Sequence, residues 1–182
     1  MKSAIDLSGR LLIATPAVKD RHFSKTVSLI AKHSDYGTIG IIINRPALMT
    51  IGGFSKKFSR SVISDNPLYY GGPVNKSHIT LTTWIPHISE IGYELRYNVN
   101  KVEAEEISIR EEKAQIRGYL GCAGWAPYQL LMEILRGDWL VADIGYLFDT
   151  KERGEKLWEA MVARINPGML LFRELPDDPS LN

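Results

Sequence analysis

Few side chains in this sequence carry reactive chemistry, and their spacing limits what each can do. Cys122 is the only cysteine. A reactive thiol needs exposure and a cation or helix N-terminus to lower its pKa. Cys122 does precede a helix expected near Pro127, but it sits among glycines and apolar residues, where a free cysteine packs as a small hydrophobe. His22 and His33 flank one expected strand, and His78 and His87 flank another. No His-x-His or His-x-x-x-His spacing puts two on one face, so neither a metal site nor a cofactor is expected. His33-Ser34-Asp35 reads as a turn. There is no Gly-x-Ser-x-Gly elbow, although a triad assembled from distant positions stays open. Gly71-Gly72-Pro73 and Gly118-x-x-Gly121-x-x-Gly124 lack the endings of a phosphate loop or a dinucleotide fingerprint, so tight turns and close backbone packing are expected there. Lys56, Lys57 and Arg60 form either a phosphate grip or a solvated face.

Asn44-Arg45-Pro46 is the most interesting polar group. It closes an apolar strand, where an amide and a guanidinium can face a cleft. The alternative is that Asn44 satisfies a turn and Arg45 lies on the surface. Gln129 and Glu133 stand four apart on an expected helix and share its exposed side. The expected ligand-binding set is Asn44, Arg45, Gln129, Glu133 and His33, the first four around one pocket and with no catalytic residue assigned.

The elements that position these residues follow from pattern. Leu11 to Ala14, Phe23 to His33 and Thr38 to Asn44 read as strands, the last two joined as an antiparallel hairpin through Ser34-Asp35-Tyr36-Gly37. Gly40 suggests a bulge or a close approach. Pro46 is expected to end that run, and Thr50 to Ser61 to form a short helix. Further strands are expected over 68–70, 79–84 and 94–99. Asn100-x-x-Glu103 predicts a capped helix over about 101–113. The stretch Gly118–Ala142 looks like the packing centre. It holds a glycine-rich strand, then a helix with Pro127 in its first turn and a stripe of Leu130, Leu131, Ile134 and Leu135, then Gly137 as cap and a buried strand from Trp139. Asp149-x-x-Glu152 signals a second cap, before a helix carrying Leu157, Trp158, Met161, Val162 and Ile165. Met169 to Phe172 is expected as a last strand and 176–182 as a flexible tail, leaving 1–175 as one domain. Without regular βαβ alternation, the class is α+β.

The totals set bounds. The 182 residues are 45% hydrophobic and 24% charged, which suits one globular domain that needs no disulfide or structural metal. No stretch reads as a signal peptide or membrane span, so the cytoplasm is expected. Residues 1–60 hold ten Lys/Arg against three Asp/Glu, and the remainder twelve against eighteen. This marks either a basic face for an anionic partner or two parts that interleave and neutralise each other.

Residues 11–46 and 118–140 resemble the YqgE/AlgH family of bacterial proteins. The likeness rests on Ala14-x-Pro16, Phe23, Val27, His33, Gly37, Gly40, Asn44-x-Pro46, Gly71-Gly72-Pro73, Gly124-Trp125, Gln129-Leu130, Glu133, Trp139-Leu140 and Trp158, in family order. The resemblance implies a single α+β domain whose mixed, mostly antiparallel sheet curls into a partly open barrel with flanking helices. The family's regulatory name comes from a genetic link to polysaccharide production. Lys32, Cys122, Tyr128 and Leu131 depart from the family's common residues, and the segment after Ala142 is shorter. The favoured function is a non-catalytic binding or regulatory protein, with a protein or small-molecule partner ahead of DNA. The alternatives are an enzyme acting on a small anionic ligand and a nucleic-acid-associated regulator using the basic N-terminal third.

Overall fold

A computed structural model of the chain describes residues 6–87, 92–147 and 150–174. One long strand, β8 (Gln115–Trp125), organises it. The other strands are β1 (Leu11–Ala14), β2 (Val27–Ser34), β3 (Gly37–Ile42), β4 (Pro46–Thr50), β5 (Pro67–Tyr70), β6 (Val74–Pro86), β7 (Tyr93–Val99) and β9 (Trp139–Ala142). The first part of β8 pairs in parallel with β5 and antiparallel with β6. Its last residues pair with β3 instead, and the sheet continues through β2 and β1 to β9. β4 borders β5 and β7 borders β6, and β5–β8 is the one parallel pairing among the described strands. The mixed sheet forms a half-barrel flanked by four helices, so the class is α+β.

A strand that serves two sets of neighbours must turn its faces, and Gly121 turns them with φ +70°. Tyr119 and Cys122, three apart instead of two, both pack on the central cluster around Leu11, Ile41 and Trp158. Leu120 and Ala123 pack into the two other clusters. A Cβ on Gly121 would lie 2.6 Å from the Gly72 carbonyl oxygen, and one on Gly72 would lie 2.2 Å from the Cys122 carbonyl carbon. The two chains therefore touch backbone to backbone, a separation only glycine permits.

The helices cover both faces. α1 (Ile51–Phe54) and α2 (Lys101–Arg110) pack with Ile63, Leu68, Leu81 and Ile116. Asn100 caps α2 as expected, accepting from the Glu103 N–H at 3.0 Å. α4 (Gly154–Ile165) buries Leu157, Trp158, Met161 and Val162, and the Trp158 indole donates to the Ala14 carbonyl at 2.6 Å. The expected cap at Asp149 lies outside the described residues, as does the tail over 176–182. α3 (Gln129–Arg136) buries Leu130 and partly buries Leu131 and Ile134.

Four expectations are corrected. Tyr128 takes φ +62°, which is not helical, so α3 starts at Gln129 and Pro127 stays outside it. The short helix then turns Leu135 to solvent, 80% exposed. Pro46 begins β4 instead of only ending a run, at an edge where its missing N–H costs little. The helix expected over 50–61 breaks at Ser55 into α1 and a 3₁₀ turn, Lys56–Phe58. Met169 to Phe172 form part of a 3₁₀ helix, Pro167–Glu174, because Pro167 suits a helical first turn and the Met169 N–H returns to the Asn166 carbonyl. Among the described residues no helix is long and apolar enough to cross a membrane.

Candidate functional site

Asn44 follows β3 and is 3% exposed. Its Oδ1 accepts from the Val27 N–H at 2.8 Å, and its Nδ2 donates to the Lys25 and Gly154 carbonyls at 3.0 Å each. One amide thus ties the start of β2, the preceding loop and the start of α4. Arg45 grips the same loop from the other side. Its Nη1 donates to the His22 carbonyl at 2.8 Å, and its Nη2 to those of Ser24 and Arg21 at 3.0 and 3.2 Å. Burial lowers the Arg45 pKa, opposed by nearby Asp20.

Gln129 and Glu133 belong to a different network. Glu133 Oε2 accepts from both Trp125 Nε1 and Trp139 Nε1, at 2.9 and 2.8 Å. Its Oε1 accepts from Gln129 Nε2 at 2.8 Å, and Gln129 Oε1 accepts from the Ala126 N–H at 2.9 Å. His33 Nδ1 lies 2.7 Å from Thr38 Oγ1 at the end of the β2–β3 hairpin. The structure does not bring these five residues around one cavity: Gln129, Glu133 and His33 line none of the clefts that Asn44 and Arg45 line. It does couple the two networks through Phe23. The carbonyls held by Arg45 flank Phe23, whose ring lies 5.9 Å from that of Trp125 and 5.7 Å from that of Trp139.

Two neighbouring clefts share Arg45 and Tyr70. The deeper, of about 280 Å³, also has His22, Gly72 and Lys76 in its wall. The wider, of about 550 Å³, adds Lys19, Arg21 and Lys25, with Glu155 as the one carboxylate among the described residues that line it. Glu155 is occupied by Lys25 Nζ at 2.5 Å. Five cationic side chains therefore face this region, four of them from the basic first sixty residues. Sequence reasoning missed Lys76 and Tyr70, which flank the Gly71-Gly72-Pro73 turn that was read only as close backbone packing. The charge asymmetry and Arg45 itself were the signals pointing here. Cys122 is half-buried, and burial pushes its thiol pKa up, so it is not poised as a nucleophile. Among the described residues no group of three or more His, Cys, Asp or Glu could hold a metal ion.

This geometry defines a one-domain α+β half-barrel with a cationic cleft beside its N-terminal loop. The AlgH-like family model matches residues 11–169, and the chain belongs to that family. A UPF0301 protein of Xanthomonas campestris is 32% identical over 178 residues, covering 92% of each chain. One of Streptomyces avermitilis is 28% identical over 190 residues, covering all of this chain and 98% of its own. Among solved structures, AlgH from Pseudomonas aeruginosa superposes with a TM-score of 0.65 at 26% identity, covering 98% of both chains. A Corynebacterium diphtheriae protein, at 24% identity, shares the fold with a TM-score of 0.72 over 96% of this chain and 95% of its own.

Proposed function

We propose that the chain is a non-catalytic binding protein, and that its ligand is a small anion seated between Arg45, Tyr70 and Lys76. One observation carries this reading: five cations converge on two adjoining clefts where, among the described residues, the one lining carboxylate is already paired. The deeper cleft, about 280 Å³, approaches the size of metabolite sites. Its described side-chain polar groups are two cations, a phenol and an imidazole that accepts from Arg21 Nε at 3.3 Å, set beside the apolar Ile42 and Leu120. Arg45 spends three of its N–H donors on backbone, so it shapes the cleft while Lys76 meets the ligand. A regulatory role in a reducing cytoplasm is the setting we favour, since a lone half-buried thiol is stable there.

A thermal-shift panel of phosphate, pyrophosphate and small dicarboxylates tests the proposal. At least one anion is expected to raise Tm saturably, and Lys76→Ala to weaken its affinity about tenfold while the ligand-free Tm stays put. Equal affinity in Lys76→Ala would place the ligand elsewhere. Capture of a single protein partner, with no anion response, would favour a protein-binding module.

A further inference from the structure

We infer a second, smaller anion site inside the half-barrel, built on Arg117 and fitted to a short aliphatic carboxylate. It is independent of the cleft at Lys76. Arg117 is half-buried on β8, with its guanidinium carbon 4.8 Å from the Trp84 ring centre and 5.9 Å from that of Tyr69. Its Nη2 donates to Gln115 Oε1 at 2.7 Å, and among the described residues no carboxylate pairs with it. The two ring contacts and the single amide bond leave N–H groups of this half-buried guanidinium over, and these can take an anion.

The cavity beside it supplies the rest. Arg153 adds a second cation, Thr150 a hydroxyl, and Ile43 and Leu157 an apolar wall. Among the described residues no Asp or Glu lines it. Its volume of about 70 Å³ is too small for a phosphorylated metabolite and large enough for a two- or three-carbon acid. A planar guanidinium matches a planar carboxylate through two parallel N–H···O bonds. The alkyl end then rests against Ile43 and Leu157. The neighbouring Tyr119 phenol is buried and neutral, so it brings no competing negative charge.

Titration of the full chain with acetate, at ionic strength held constant with chloride, tests the site through the Trp84 indole N–H resonance. A saturable shift is expected with acetate and none with chloride alone. Arg117→Gln should lose the response and Arg153→Gln weaken it several-fold, while Lys76→Ala leaves it intact. That last variant separates this site from the proposed cleft, whose failure would leave it standing. An indole resonance that ignores acetate, or follows chloride equally, rules the site out. So does a folded Arg117→Gln protein that still responds. If Arg117→Gln does not fold, Arg153→Gln decides, and an undiminished response there defeats the inference.

Discussion

Glu133 shows how a residue that reads as a pocket wall can be a structural pin. Its carboxylate accepts from two indoles and an amide at once. Glu133→Ala strands both indole donors, and each partly buried orphan costs about 1–3 kcal/mol. Urea unfolding should register a loss of about 2–4 kcal/mol, with Glu133→Gln losing less because one acceptor oxygen remains. Asn44→Ala removes three backbone contacts and should lose a similar amount. Tyr119 behaves in the opposite way. Its hydroxyl is buried with no well-formed hydrogen bond, although Arg117 and Thr82 lie close enough to interact with it, so Tyr119→Phe should cost little at pH 7. Burial pushes its pKa up to about 12. Between the unfolded value near 10 and that figure, the folded state keeps a proton the unfolded chain releases. Stability should fall as pH rises through this window, and Tyr119→Phe should flatten the slope in alkaline denaturant titrations.

At the scale of elements, β8 decides the architecture through its contact with the Gly71-Gly72 turn. A methyl group on Gly72 has no room beside the Cys122 backbone, and φ +153° is unfavourable for any other residue. Gly72→Ala should destabilise by about 3 kcal/mol or more, measurable as a lower urea midpoint, whereas Gly124→Ala meets nothing within 4 Å and should be mild. Glycine periodicity made this contact legible beforehand, because a glycine-rich strand announces a close neighbour without naming it. The hairpin at Asp35-Tyr36, the α4 stripe and the α2 cap were legible for the same local reason. The start of α3 was not, since nothing about a tyrosine declares a left-handed backbone at Tyr128. β4 was also hidden: Pro46 looks like a terminator until an edge position makes its missing donor harmless. Asn44, Arg45, Gln129 and Glu133 were singled out as polar residues around one pocket, and the fold divides them between two networks. Their partners were not legible, because every bond they make except that from Gln129 to Ala126 and those within the Trp125–Trp139 segment spans the tertiary fold.

Across the whole molecule, the excess positive charge of the first sixty residues becomes local. Lys19, Arg21, Lys25 and Arg45 gather at one rim, and Lys76 joins them from β6. Exposed charges at such a rim are screened over about 8 Å at physiological salt. Ligand affinity should therefore weaken several-fold between 50 and 300 mM chloride in calorimetry, whereas binding at the more enclosed Arg117 should depend on salt less. The most direct measurement is a crystal structure of the chain with the anion that gives the largest thermal shift. The account predicts that anion in the deeper cleft, within hydrogen-bond distance of Lys76 Nζ and bordered by Arg45 and Tyr70. An empty cleft at saturating ligand, with the anion bound elsewhere on the surface, would contradict it.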